Sequence, residues 1–204
     1  RKEHYLYYTN NLNVEVNMTA NIDASELLTF CHTNGYKFYP TLIYCVTKVL
    51  NRIENFRMFK DKNGDLCVWD SLVPNYTIFH EEDHTFSDCW TDFTDDFDSF
   101  YKNITSDMEL GKTKRGIKVK KGQPANFYCV SCTPWTAFTA VSSRMVNGGA
   151  AFFPIITAGK YDDNYQMPVN ITIAHAVADG YHIGLFFSDL QKEVSLKSLK
   201  SNLE

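Results

Sequence analysis

No part of this sequence stays apolar for the ~18 residues that a membrane-crossing helix needs, so no span is expected. The opening "RKEHYLYY" lacks the apolar core of an export signal, and it lacks an initiating Met, which implies that a few native residues precede Arg1. A basic surplus is also missing. The net charge is -4, whereas nucleic-acid binders carry a concentrated basic face. G-x-x-x-x-G-K-S/T, G-x-G-x-x-G and G-x-S-x-G are all absent, which removes phosphate-cradling loops and a serine elbow from consideration. Neither an internal repeat nor a low-complexity linker occurs. A chain of 204 residues can bury one sizeable core and not two, so a single domain over 1–204 is the economical reading.

Cysteine is present without a framework for it. The six residues, Cys31, Cys45, Cys67, Cys89, Cys129 and Cys132, read as reduced thiols of a cytoplasmic protein. Cys129 and Cys132 make a lone C-x-x-C, and no second ligand pair stands at zinc spacing, so no metal site is expected. Sequons begin at Asn17, Asn75, Asn103 and Asn170. Without an export signal they are chance matches.

What is there is an apolar fraction of 44%, aromatic residues at 15%, and clear periodicity. "NVEVNMTANI" alternates Val14, Val16 and Met18 with polar partners, the period of a half-buried strand. "DASELLTFCHTNG" reads as a helix capped by Asp23, with Glu26 three residues on, and ended by Gly35. "YPTLIYCVTKVLNRIENF" predicts a second helix with a stripe through Ile43, Val46 and Leu50. "DLCVWD" and "NYTIFH" read as short strands. Phe93, Phe97 and Phe100 mark an amphipathic helix with an acidic outer side. The basic run at 112–121 is expected to be a solvated loop or hairpin facing it, with phosphate binding as the alternative. "NFYCVSC", "AFFPIITAG" and "MPVNITIAH" predict three strands of a sheet covered on one or both faces. The last helix is expected over "HIGLFFSDLQKEVSLKSLK".

The stretch "ITIAHAVADGYHIG" is where chemistry could sit. By residue type alone, His175 reads more readily as a core histidine than as a base. Three features favour the base. The apolar strand delivers the imidazole at a strand end, where α/β sheets place ligands. Gly180 permits a tight turn, so Asp179 can anchor the loop. A neutral imidazole can take a proton from a hydroxyl and return it.

"HAVADGYH" matches H-x-x-x-D-G, a motif of acyltransferases that use coenzyme A thioesters. "RKEH", "YKFYPTLIYCVTKVLN", "FRMFKD", "VWDSLVPNYTIFHEEDHTFS", "SCTPW", "FFPIITAGKY" and "MPVNITIAHAVADGYH" follow in one order, and over nearly its whole length the chain resembles the chloramphenicol acetyltransferases. The resemblance implies an α/β (α+β) fold, a two-layer sandwich of a mixed sheet packed against helices. It implies a homotrimer with active sites at subunit interfaces, acetyl-CoA as co-substrate, no prosthetic group, and chloramphenicol or a similar alcohol as acceptor. By motif position His175 is the general base, Ser131 the donor to the oxyanion, and Thr157 the holder of a water near the reacting oxygens. Asp179 is implied to pair with Arg1 and brace the histidine loop, in preference to polarising the imidazole directly.

Tyr7, Tyr8, Leu12, Val14, Thr77, Phe86 and Ile155 fall on acceptor-pocket positions of the family, and Lys37, Lys160 and Tyr161 on coenzyme positions. The pocket departs from the family at several places. Val141 stands where a phenylalanine is usual, Ser143 where a leucine is usual, and Met145 replaces a valine. Asp88 and the vicinity of Lys118 bring charge where small or aromatic residues are expected. Ala174 removes the doubled histidine. Lost aromatic walls change packing against a nitrophenyl or dichloroacetyl group more than they change the reaction. An acetyltransferase acting on a different small-molecule hydroxyl is therefore the first alternative, favoured by Val141 and Ser143. A non-catalytic protein that sequesters the drug is the second, opposed by retention of both His175 and Ser131.

Overall fold

The computed structural model describes residues 1–144 and 149–203. Met145 and the three residues after it therefore lie outside the described residues.

Strand alternation produces a sheet with two unlike faces. In β8 (Gln166–Ala174), Met167, Val169, Ile171 and Ile173 point into the core, while Asn170 and Thr172 point the other way. In β6 (Phe127–Thr133), Tyr128 and Val130 enter the core, leaving Cys129 and Ser131 on the opposite face. β7 (Ile155–Gly159) repeats this, with Ile156 and Ala158 inward and Ile155 and Thr157 outward. Adding β1 (Glu15–Asp23), β4 (Val73–His80) and β5 (Thr85–Trp90) gives a six-stranded sheet in the order β1-β8-β7-β6-β4-β5. β4–β6 and β6–β7 are parallel, and the other pairs antiparallel. β2 (Met58–Lys60) and β3 (Leu66–Val68) form a separate hairpin.

The helices cover the apolar face. α3 (Phe38–Arg52) is the central one: the expected stripe of Ile43, Val46 and Leu50 is buried, joined by Leu42, Tyr44 and Val49. α2 (Ser25–Asn34) ends at Gly35, whose φ of 72° is the left-handed cap that glycine allows. α4 (Phe97–Lys112) buries Phe97, Phe100 and Ile104 against Tyr44 and Tyr36. α5 (Gly180–Glu193) carries Ile183, Phe186 and Leu190 into the same core. A mixed sheet layer against a helical layer is the α/β sandwich expected.

Several local expectations need correction. The capping box of α2 does not form: Asp23 Oδ1 accepts from Ser25 N–H, while Glu26 turns away to accept from the Leu196 amide. Phe93 precedes α4, because Asp96 caps the helix by accepting from Ser99 N–H, yet its ring still packs on Phe100. The last helix is two helices. Ser195 caps α6 (Leu196–Ser201), accepting from Ser198 N–H, and the chain turns there. The basic run is a loop whose cations meet acidic partners, Arg115 with Glu82, Lys118 with Asp88 and Lys120 with Asp107. α1 (Lys2–Asn10) and β5 had no counterpart in the expectations.

Glu193, at the end of α5, is 2% exposed and accepts from Arg52 at 2.8 Å and Lys48 at 3.3 Å, tying α5 to α3. Burial alone would raise its carboxyl, but Arg52, Asn202 and Lys48 outweigh it, and the pKa lies below its ordinary value. A carboxyl lowered on folding stabilises above its unfolded pKa, and that benefit disappears as pH falls through the folded one. Glu193→Gln is therefore expected to cost about 1–3 kcal/mol at pH ~7. Its melting deficit relative to the parent should shrink when the scan is repeated near pH ~3.5; a deficit independent of pH would show that the charge contributes nothing.

Candidate active site

His175 is the first residue after β8. Its N–H donates to Val14 O at 2.8 Å, so the edge strand's approach holds the backbone from one side. Val177 and Ala178 then donate to Ala174 O, closing a tight turn that buries Ala176, Val177 and Ala178. The ring stacks on Tyr8, with centroids 4.0 Å apart and planes 11° from parallel. Nδ1 is shielded from solvent and has no hydrogen-bond partner among the described residues. Nε2 is not shielded in this way, and it could accept a proton only with the ring hydrogen on Nδ1.

Asp179 caps α5, its Oδ1 accepting from Tyr181 N–H at 3.1 Å, and its own backbone N–H donates to His182 Nδ1 at 3.3 Å to complete the box, with that ring nitrogen 2.8 Å from Asp179 Oδ1. Arg1 bridges from the other end of the chain: one guanidinium nitrogen pairs with Asp179 Oδ2 and the other donates to His175 O at 3.2 Å. Partial burial works against the charged form of Asp179, yet His182, Arg1 and the Tyr181 amide outweigh it and hold the carboxyl below its ordinary value. No bond runs from Asp179 to the His175 ring.

Ser131 lies elsewhere on the polar face. It pairs across the ladder with Thr157, their hydroxyl oxygens 3.5 Å apart, and Thr157 is 8% exposed. One step beyond the Tyr76–Val130 pair, Thr77 stands beside Ser131 on β4, and Ile155 flanks Thr157 on β7. Phe86 faces out from β5 at 52% exposure.

The expected site residues thus fall into two groups. Tyr8 and Val14 contact His175 directly, with Tyr7 edge-on to Tyr8 at 5.2 Å and Leu12 N–H donating to Tyr7 O at 3.1 Å. Thr157 and Thr77 flank Ser131, Ile155 lies two residues before Thr157, and Phe86 stands farther out on the same face, on β5. Thr157 pairs with Asn170 on β8, five residues before His175. Two strand spacings sideways and five residues along place His175 about 20 Å from Ser131 within one chain. Val141, half-buried, and Ser143, exposed, lie in the irregular 134–144 segment and join neither group by a hydrogen bond.

The three expected coenzyme residues do share a rim. Phe38, next to Lys37, approaches Tyr161 with centroids 6.3 Å apart, and Lys160 precedes Tyr161. Lys37 is held by Glu109 at 2.8 Å. Lys112 meets the same carboxylate at 3.1 Å, a second cation the sequence reading missed although Glu109 and Lys112 stand three apart on α4. A cleft of about 220 Å³ runs between Lys37, Glu109, Met108, Phe79 and Thr77, so it leads from this rim towards Ser131. A wider recess of about 680 Å³, between Thr19, Phe138, Asp162 and Pro168, contains none of the expected residues. No helix is long and apolar enough to cross a membrane among the described residues.

Asp179→Asn keeps a good helix cap while removing the charge that Arg1 grips. Stability should fall by no more than about 1 kcal/mol, while hydrogen exchange at the Val177 and Ala178 amides quickens. Unchanged protection there would mean that Arg1 does not hold the loop.

Comparison with known proteins gives the family and the fold. A family model described as chloramphenicol acetyltransferase matches residues 1–191. A chloramphenicol acetyltransferase of Clostridium perfringens is 39% identical over 198 residues, covering 96% of this chain and 90% of that protein. A solved chloramphenicol acetyltransferase superposes with a TM-score of 0.77 at 20% identity, covering 95% of this chain and 94% of that one. A dihydrolipoamide acetyltransferase of Azotobacter vinelandii superposes with a TM-score of 0.69 at 14% identity, covering 100% of this chain and 89% of that one, which shows a shared fold.

Proposed function

The chain belongs to the chloramphenicol acetyltransferase family and is an acyltransferase, and on that premise we propose that it transfers acetyl from acetyl-CoA to the primary hydroxyl of chloramphenicol, inactivating the antibiotic in the cytoplasm. His175 Nε2 removes the hydroxyl proton as the oxygen attacks the thioester carbonyl. The resulting tetrahedral oxyanion accepts a hydrogen bond from the Ser131 hydroxyl, beside which Thr157 holds a water. Collapse breaks the carbon–sulfur bond, and the proton on His175 passes to the departing thiolate. Both substrates are present together, and no acyl-enzyme forms.

One observation carries the assembly part of this reading. His175 and Ser131 stand about 20 Å apart by strand register, too far for one acetyl group to touch both. A second copy supplying His175 opposite the first copy's Ser131 completes the site, as in a ring of identical subunits. We therefore assign three sites to a homotrimer, each between two copies. Lys37, Lys160 and Tyr161 receive the coenzyme, whose narrow arm follows the cleft past Phe79 to Thr77. Tyr7, Tyr8, Leu12 and Val14 from the histidine side, and Thr77, Phe86 and Ile155 from the serine side, enclose the acceptor. Arg1 and Asp179 act by positioning.

Thiol release from acetyl-CoA, followed with and without chloramphenicol, tests the activity. His175→Ala should lower turnover by at least about 10²–10⁴-fold with acceptor binding retained, and Ser131→Ala by about 10²–10³-fold. Release with another alcohol alone would point to a different acceptor, and binding without release to a sequestering protein. Co-assembly of the two inactive variants tests the interface. Random mixing should restore about a quarter of the parent activity, since only sites between unlike copies carry both groups; no recovery would place each site within one chain.

A further inference from the structure

The row Thr157, Ser131, Thr77 does not stop at β4. Thr77 pairs with Asp88 on β5, so a carboxylate lies two strand spacings, about 10 Å, from the Ser131 backbone on the same face. Lys118 Nζ meets Asp88 Oδ2 at 2.8 Å and Asn75 Oδ1 at 3.5 Å. The pair is fixed by main chain as well. Asp88 N–H donates to Ile117 O at 2.6 Å, and Val119 N–H donates to Asp88 O at 3.2 Å. The Asp88 side chain is 19% exposed and that of Lys118 is 50% exposed, so both are reachable while held.

Their hydrogen-bonding capacity is incomplete. An ammonium has three donors, and Lys118 uses two; a carboxylate has two oxygens, and Asp88 Oδ1 accepts nothing among the described residues. A free donor therefore sits beside a free acceptor on a preorganised strut. A nitro oxygen or a chlorine can take the Lys118 donor, but neither can supply a proton to Asp88. Covering that oxygen with such a group leaves it without water and without a partner, which costs about tenfold in affinity.

We propose that Asp88 and Lys118 form a hydrogen-bonding wall of the acceptor cleft, selecting acceptors that carry an O–H or N–H donor about 10 Å from the reacting hydroxyl over acceptors whose far end only accepts. This rests on the reading that the reacting alcohol lies beside Ser131. Phe86, two residues along β5 on the same face, adds an apolar ledge for the rest of the molecule.

The test compares chloramphenicol with two analogues, one with the nitro group reduced to an amine and one with glycolyl in place of dichloroacetyl. Each is measured on the parent, on Asp88→Asn, and on the double variant Asp88→Leu with Lys118→Met, which replaces the pair by apolar side chains without stranding either charge. KM and kcat come from thiol release, and Kd from calorimetry. The parent should favour at least one donor-bearing analogue by about tenfold in KM, Asp88→Asn should keep most of that preference, and the double variant should lose it as chloramphenicol's KM falls. A preference that is absent in the parent, or equal within about twofold in parent and double variant, would overturn the proposal. If the parent acetylates none of the three, the acetyl-transfer reading fails, and the same comparison of Kd values decides the wall on its own.

Discussion

Two strand registers, β6 on β7 and β7 on β8, hold His175 and Ser131 apart. A sheet ladder is rigid along its length, and its register cannot slip without turning every side chain to the other face. With the apolar face buried against α3, α4 and α5, slippage would expose Ile156, Val169 and Ile171 together. The separation is therefore a property of the fold and not of a loop that might close. Side chains reach a few ångströms, so no single small group can touch both side chains within one copy of the chain. The split of the expected pocket residues into a histidine group and a serine group follows from the same constraint.

The polar face is tied together with unusual care. Asn170 Nδ2 donates to Asn17 Oδ1 at 3.0 Å and to Thr19 Oγ1 at 3.1 Å, while the Thr172 hydroxyl donates to Asn170 Oδ1 at 3.2 Å. Asn170 and Thr172 are buried, Asn17 and Thr19 half-buried, and all are hydrogen-bonded, so they cost little and fix the pairing of β1 with β8. That pairing has a consequence at the strand end, since it brings Val14 O under the His175 amide. A hydrogen-bond network on the edge pair β1–β8 thereby helps to place an imidazole at the end of β8.

Much of the fold could be read from periodicity. β8 announced itself by alternation, α3 by its apolar stripe, and the end of α2 by Gly35. Elements without such a pattern were missed. α1 buries no residue, so nothing in its sequence had to be periodic. β5 is entered through His84, which adopts a left-handed φ of 58°, and "TFSDCW" is too polar to read as a strand. The break before α6 depends on one serine cap. At the candidate site, the residue types and the Arg1 to Asp179 pairing came from the resemblance, and the coordinates contain that ion pair. Which groups lie near each other is a matter of register and was invisible. So was the sharing of Glu109 by Lys37 and Lys112, which joins residues 72 positions apart.

The orientation of His175 has a different origin from that of a serine-hydrolase triad, where a carboxylate grips the second ring nitrogen. Asp179 is committed elsewhere: Oδ2 meets Arg1, and Oδ1 meets the Tyr181 amide and His182. Nothing of it remains for the imidazole. Three other restraints replace it, namely the Tyr8 stack on one ring face, the Val14 bond to the amide, and the Arg1 bond to the carbonyl. Two of these act on the backbone and one on the ring plane, so together they fix position and tilt without touching Nδ1. An imidazole held this way keeps its angle through packing, with no carboxylate of the same loop bonded to its ring. The carboxylate's part is to fasten the chain's first residue to the turn, and through that residue's second nitrogen to fasten the histidine's own carbonyl.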